Sequence, residues 1–585
     1  MKFTARTRTV VTLAGFAILF VALTVNSYVR ESATWDEPQF LLSGYLGLKD
    51  GDHRLVPGHP PFVQMWAALP LLATTGITVP AEAIPRLIDD AWIFGNQYAF
   101  THATLYRLNN ADSLLYRGRF MIVLLGVLLG ILLFCWAQEL YGFGAALAVL
   151  ASYCAEPNLL AHARLITTDF GTTCFVCGTA YFLWRTTRAV TVGNLLGLAV
   201  FFALAQVSKF SGVLLLPVVL ALLEVRCRRQ TPWPIAAGKE LTARAAKARL
   251  AIGVILLLAV SSYGVIWATY GFRYAPAPPP AERYDAAASA RTASHSLPAT
   301  VLQWVDRHHL LPNLYTQGFL LDLSITEGRS AFLAGHYSNA GWWYYFPVAM
   351  LVKTPLAILL LFLLGLVLCV VRWRTLCRDE VFLIVPLAVF LAVAMTSHIN
   401  IGLRHVLPVY PFLLLIAGKT AAELLTHPRK LGQVALAGLG LLALAETARV
   451  YPHYLAFFNQ SVGGPRNGYQ YLVDSNLDWG QDLKGLKRWM DANQVQRINL
   501  CYFGTADPAY YGIECTYLPG GPFFTESQVA APQLPGYVAV SATQLQGVYL
   551  PEQWRIFYRK LQQQPPVAVI GHSIHVYRVE RPWWR

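Results

Sequence analysis

The residues best equipped for chemistry in this chain are a few charged side chains at the edges of long apolar runs. The first group is Ala33-Thr-Trp-Asp-Glu-Pro38, which sets Asp36 and Glu37 just beyond an apolar stretch. Pro38 biases Glu37 toward an extended backbone, where neighbouring side chains point to opposite sides. The pattern therefore predicts one carboxylate acting as a base rather than a dyad, the alternative being a solvated acidic pair. Gly58-His59-Pro60-Pro61-Phe62 holds an imidazole beside two prolines that fix the backbone, locally a turn. Ala161-His-Ala-Arg-Leu-Ile-Thr-Thr-Asp169 places Arg164 and Asp169 in one short hairpin. There they either pair and orient two helices, or Arg164 grips a phosphate.

More cations stand where apolar runs end. Lys209 lies in Gln206-Val-Ser-Lys-Phe-Ser-Gly212, and Lys353 interrupts an apolar run at Val352-Lys-Thr-Pro355. A lone cation in lipid costs at least about 3 kcal/mol and usually faces a polar cavity, unless it snorkels to the interface. Arg404 and His405 stand at the mouth of a further run, in Asn400-Ile-Gly-Leu-Arg-His-Val-Leu-Pro408. Together these cations form a candidate site for a membrane-anchored phosphate. Trp342 and Tyr345, in Gly341-Trp-Trp-Tyr-Tyr-Phe-Pro347, either anchor the chain at the membrane interface or touch substrate.

The elements that must position these groups are helices in lipid. Of 585 residues, 55% are hydrophobic and only 13% charged, whereas a soluble chain carries nearer a quarter charged residues. About eleven spans are expected, near 9–28, 119–138, 143–160, 169–184, 191–207, 210–225, 250–269, 346–371, 381–396, 405–424 and 431–447. The first, after a basic start and without a small-residue cleavage site, reads as a retained helix. The net charge of +14 does not point to nucleic acid, because the basic residues sit in short stretches between spans. With the N-terminus inside, segments 185–190, 226–249, 372–380 and 425–430, including Arg374, Arg378 and Arg429, fall on the basic, cytoplasmic side. The loops 29–118 and 270–345 and the tail 448–585 then lie outside. Within that second loop, Ala275–Pro280 is rich in proline.

The expected architecture is a polytopic α-helical membrane module over 1–447 and a small extracytoplasmic α/β domain over 448–585. Strands are predicted at Asn499–Phe503, Gly536–Ser541 and Val567–Val579, and helices at Leu483–Asn493 and Pro551–Gln563. Of nine cysteines, only Cys501 and Cys515 are placed for a possible disulfide.

In their order along the chain these groups resemble the protein O-mannosyltransferase and aminoarabinose-transferase branch of the membrane-embedded C-type glycosyltransferases. Asp36-Glu37, His59-Pro60-Pro61, Arg164 with Asp169, and later Gly341–Pro355, Asn400–Pro411 and Val473-Asp-Ser-Asn-Leu-Asp-Trp-Gly-Gln481 carry the likeness. It is similar to bacterial members, which implies a bacterial inner membrane with the site facing outward. The resemblance also implies the C-type fold, a polyprenyl- or dolichyl-phosphate sugar donor and inverting transfer to an acceptor glycan, lipid or protein. By the same likeness Asp36 matches the family's catalytic acidic residue, Asp169 the second acidic position, and Arg164 with Lys209 the contacts to donor phosphate. Eukaryotic O-mannosyltransferases carry a β-trefoil insert in a later loop, and 270–345 is too short for one, so a protein Ser/Thr acceptor is not implied. No cofactor is certain. Asp36, Asp169 and His59 offer donors to one divalent metal ion, without a diagnostic spacing. A transporter or lipid flippase is the first rival reading and a non-catalytic scaffold presenting the tail is the second.

Overall fold

The computed structural model describes residues 4–80, 96–235, 238–279, 283–285, 296–325, 328–372, 379–426, 430–521 and 530–582. Arg374, Arg378, Arg429 and Pro280 fall outside these residues. Six helices are long and apolar enough to cross a membrane: Ala5–Tyr28, Ala111–Tyr141, Phe210–Arg228, Arg244–Thr269, Leu403–Thr426 and Lys430–Val450. Shorter apolar helices occupy Phe143–Cys154, Val192–Gln206, Leu356–Val371 and Val381–Thr396, and Thr168–Arg188 is a more polar helix of 21 residues. Each expected span is thus helical over most of its length, and the chain is a multi-pass membrane protein.

Local chemistry sets where these helices begin and stop. Asn110 caps Ala111–Tyr141 by accepting from the Ser113 N–H at 3.0 Å. Gly142, at φ 88°, ends that helix and starts the next, a conformation that suits only glycine without strain. The run expected as one span over 346–371 is broken. Tyr345–Lys353 and Leu356–Val371 are separate helices joined by Thr354-Pro355. Pro355 cannot donate to the preceding turn, and the Leu351 carbonyl that it would have met accepts from Asn459 Nδ2 at 2.7 Å instead. On the opposite side of the bundle, Trp233–Pro234 (β1) pairs antiparallel with Glu240–Leu241 (β2).

The first outer loop folds onto the bundle as helices Glu37–Lys49 and Phe62–Leu72, which pack closely where Gly44 meets the Gln64 backbone. A hairpin of Ala331–Leu333 (β3) and His336–Ser338 (β4) closes the second outer loop. The tail carries a five-stranded sheet of Arg497–Cys501 (β5), Glu514–Tyr517 (β6), Gly536–Ser541 (β7), Ala568–Ile570 (β8) and Ile574–Val579 (β9), in the order β6-β5-β7-β9-β8. β5 runs parallel to β6 and β7, while β9 is antiparallel to both its neighbours. The stretch expected as one strand over 567–579 is the β8–β9 hairpin, turned at Gly571 with φ 57°. Cys501 and Cys515 are both free thiols. The β5–β6 register sets Cys515 opposite Ile498, three residues from Cys501, which is about 10 Å along a strand. The candidate disulfide is therefore ruled out.

Two buried ion pairs tie the outer loop to the bundle. Glu37, fully buried, accepts from Arg119 Nε at 2.8 Å and Nη2 at 2.6 Å. Arg119 also donates to the carbonyls of Tyr28 at 3.0 Å and Ser32 at 2.8 Å, closing the end of the first span. Arg164 forms the second pair, bidentate to Glu31 at 2.6 and 3.0 Å. Arg119→Ala would strand Glu37 without a cation, so the protein in detergent is expected to lose about 3–5 kcal/mol of stability. Thermal unfolding checks this, and Arg119→Ala combined with Glu37→Gln should recover part of the loss.

Candidate active site

Asp36 sits immediately before the helix Glu37–Lys49 and makes no side-chain cap bond, so its carboxylate is free for other partners. Pro38 occupies the first helical turn, where its fixed φ is favourable and its missing N–H is not needed. Glu37 is therefore helical rather than extended, contrary to the sequence expectation. The two carboxylates still diverge, for a different reason. Glu37 turns back to accept from Thr34 N–H at 2.8 Å and Ile166 N–H at 3.1 Å, leaving Asp36 to face the outer mouth of the bundle.

There Arg404 Nη1 lies 3.0 Å from Asp36 Oδ2 and 3.4 Å from Asp169 Oδ2. Lys209 Nζ approaches the other oxygen of Asp169 at 2.6 Å. Arg404 comes from a 3₁₀ segment, Leu403–Val409, at the head of its span, and its guanidinium rests 4.3 Å from the Trp479 ring centroid, a cation–π arrangement. Asp36 keeps 23% of its side chain exposed and Lys209 17%, against 2% for Asp169. Asp36 and Lys209 are thus the open ends of an alternating chain, Asp36–Arg404–Asp169–Lys209. Burial raises the Asp36 carboxyl above its ordinary range, opposed by the Arg404 charge.

Two histidines border this chain. His59 stands edge-on to Phe40 at 5.3 Å, and burial, reinforced by the Lys209 charge, holds its pKa down at about 3. It is a neutral imidazole whose buried Nδ1 has no partner among the described residues. Pro60 is buried beside it. His405 is half-buried, with its buried Nε2 likewise unpartnered among the described residues. Among the described residues no three His, Cys, Asp or Glu side chains converge as a metal site. Asp36 and Asp169 instead have Arg404 and Lys209 as partners.

Five sequence candidates lie elsewhere. Arg164 pairs not with Asp169 but with Glu31, which sequence reading passed over and which takes both terminal nitrogens of its guanidinium. Lys353 is buried with its ammonium donating to the carbonyls of Leu455 at 3.0 Å, Phe457 at 3.0 Å and Asn476. Glu37 is consumed by Arg119. Tyr345 is enclosed, its hydroxyl accepting from Asn476 Nδ2 at 3.0 Å. Trp342 is half-buried with its N–H on Asn400 Oδ1 at 2.6 Å, while the neighbouring Trp343 is exposed, as an interface anchor would be.

Sequence reading also left four nearby residues without a role. Trp479 and Asp474 belong to the 473–481 segment, which carries part of the family likeness without assigning either residue a role. Asp474 adopts φ 56° and accepts from the Tyr549 hydroxyl of the tail. Arg329, one of several arginines in the 270–345 segment, lies 5.6 Å from the Tyr549 ring centroid, and nothing in its local sequence marks it.

Residues 108–267 match the family model described as dolichyl-phosphate-mannose-protein mannosyltransferase, a segment that contains both Asp169 and Lys209. No curated protein matches the sequence. Among solved structures, the S. cerevisiae protein O-mannosyltransferase Pmt1-Pmt2 complex is similar at 10% identity and TM-score 0.49, covering 77% of this chain and 90% of that one. ArnT from Cupriavidus metallidurans is similar at 14% identity and TM-score 0.32, covering 98% of both chains. The Archaeoglobus fulgidus oligosaccharyltransferase is similar at 11% identity and TM-score 0.46, covering 94% and 71%. The family match spans about a quarter of the chain and includes Asp169 and Lys209.

If Arg164 serves packing, Arg164→Met should lower the thermal midpoint in detergent while the folded fraction keeps its donor affinity. An unchanged midpoint with a donor affinity reduced tenfold or more would return Arg164 to the phosphate site.

Proposed function

We propose that this chain is an inverting glycosyltransferase that moves a sugar from a polyprenyl-phosphate donor to an acceptor hydroxyl, at a site facing out of a bacterial inner membrane. The observation that carries this reading is the alternating chain Asp36–Arg404–Asp169–Lys209 at the outer mouth of the bundle, with Asp36 and Lys209 open to solvent. A phosphate at C1 of the sugar is already a good leaving group, so the reaction needs a base for the acceptor and positive charge for the phosphate. Asp36 is the base: it is the carboxylate with free surface, and its raised pKa gives it more proton affinity than an ordinary aspartate. Lys209 and Arg404 supply charge toward the phosphate, and Asp169 holds both cations in place. The acceptor oxygen bonds to C1, the C1–O bond to phosphate breaks with its electron pair left on the phosphate, and the acceptor proton passes to Asp36.

The outward orientation rests on the basic loops, among them Arg185, Arg188, Arg226 and Arg228, which lie at the opposite ends of their helices from Asp169 and Lys209. A reporter fused after residue 585 should therefore be active only in its exported form, and a cytoplasmic signal would reverse the topology.

Asp36→Asn should retain donor binding and lose turnover by about 10²–10⁴ in single-turnover transfer with donor saturating. Native turnover in that variant would remove Asp36 from the role. Because a base acts only when deprotonated, kcat/KM should rise with pH through an apparent pKa above that of an ordinary aspartate, and Asp36→Asn should abolish this limb.

A further inference from the structure

With Arg164 committed to Glu31 and Lys353 to backbone carbonyls, the site holds fewer phosphate-binding cations than its sequence suggests. Of the two that remain, Arg404 is shared between two carboxylates and Lys209 is held by one. Arg329 is differently placed. Its side chain is exposed, it lies against the face of Tyr549, and no carboxylate comes within ion-pair distance among the described residues.

What fixes Arg329 near the site is the tail. The β3–β4 hairpin that follows it is pinned there: Tyr337 donates to the Gln546 carbonyl at 2.6 Å, the Ala334 N–H donates to the Tyr471 carbonyl at 2.9 Å, and Phe332 packs with Val473 and Val548. Tyr549, which Arg329 covers, donates to Asp474. Asp474 in turn begins the segment locked to the mouth of the Arg404 span, since Ser475 Oγ donates to the Ile401 carbonyl at 3.1 Å and Asn476 Oδ1 accepts from Leu403 N–H at 2.9 Å. Loop, tail and bundle thus converge so that the Arg329 charge is felt at Asp36.

We propose that Arg329, presented on Tyr549, is a donor-phosphate ligand, so that the tail builds one wall of the donor site. The inference rests on the transferase reading. In the reaction above, the donor is a phosphodiester with one negative charge and the departing polyprenyl monophosphate bears two. The additional charge appears on the oxygen that leaves C1. A guanidinium can meet two phosphate oxygens at once, and one stacked on a phenol ring leaves its N–H edges free to do so. Arg329 can take up that new charge without giving up a carboxylate, as Arg404 and Lys209 would have to.

The test is binding of a polyprenyl monophosphate to the full chain in nanodiscs, with the uncharged polyprenol and inorganic phosphate as parallel probes. Wild type should bind the monophosphate more tightly than the polyprenol. Arg329→Ala should weaken the monophosphate by about tenfold or more, Arg329→Lys should recover part of that loss, and polyprenol binding should be the same in all three. A loss confined to inorganic phosphate, with the lipid unaffected, would assign Arg329 to a soluble anion and overturn the donor role. Equal monophosphate affinity in wild type and Arg329→Ala would overturn it outright. Failure of the transferase reading looks different: wild type itself would not distinguish monophosphate from polyprenol. Arg329 is exposed, so its substitution does not threaten the fold.

Discussion

The placement of both site carboxylates depends on the buried pair between Glu37 and Arg119. Two opposite charges out of water are tolerated only when their hydrogen bonds are satisfied, and here Glu37 accepts from Arg119, Thr34 and Ile166 while Arg119 also closes the carbonyls of Tyr28 and Ser32. One guanidinium thereby fixes the end of the first span, the turn before the Glu37–Lys49 helix and the loop before Thr168–Arg188. Asp36 precedes Glu37 and Asp169 follows Ile166 by three residues, so the same interaction sets the positions of both site carboxylates. Neither member of the pair faces the site.

The tail is bound into this arrangement rather than appended to it. Lys353 draws three carbonyls of the 455–476 stretch onto the broken span, and Ser32 and Trp35 donate backbone N–H groups to the Gln481 and Trp479 carbonyls at 2.8 and 2.9 Å. Thr505 Oγ1 donates to the Trp35 carbonyl at 2.8 Å. Buried apolar contacts continue without a break from Phe20 and Leu41 of the membrane module to Leu500 and Ile574 of the sheet. The residue just before Asp36 is thus held from the tail side, as Glu37 is held from the membrane side.

The spans were legible because lipid imposes one requirement on a long stretch of chain, and an apolar run of helical length meets it visibly. Gly536–Ser541 was equally plain, as a β-branched run bounded by turn residues. The site was only partly legible. Arg164 and Lys353 have the residue type and location of phosphate ligands, and what distinguishes them from Lys209 is a partner distant in sequence: Glu31 for one, the carbonyls of residues 455, 457 and 476 for the other. Local sequence carries no trace of such partners. The break at Thr354-Pro355 was hidden for a related reason, since the run is apolar on both sides and the freed Leu351 carbonyl is satisfied by Asn459, more than a hundred residues away. Arg329 was illegible because its place is given by a hairpin docked on a separate sheet.

The sharing of Arg404 has a mechanistic consequence. Nη1 of this one guanidinium serves both Asp36 and Asp169, so its hold on each depends on the charge of the other. In the proposed transfer, Asp36 becomes neutral when it accepts the proton of the acceptor hydroxyl, and its attraction for Arg404 weakens in that step. The departing phosphate gains its second negative charge in the same step. Coulomb attraction between close charges in a partly buried site amounts to several kcal/mol, so the guanidinium field released by Asp36 becomes available as the leaving group requires it. Asp169, held also by Lys209, keeps Arg404 from following the proton away. A base that is ion-paired at rest would ordinarily be a poor proton acceptor. Here burial raises the Asp36 pKa against that pairing, and the shared arginine couples the proton taken by the base to the charge left on the phosphate.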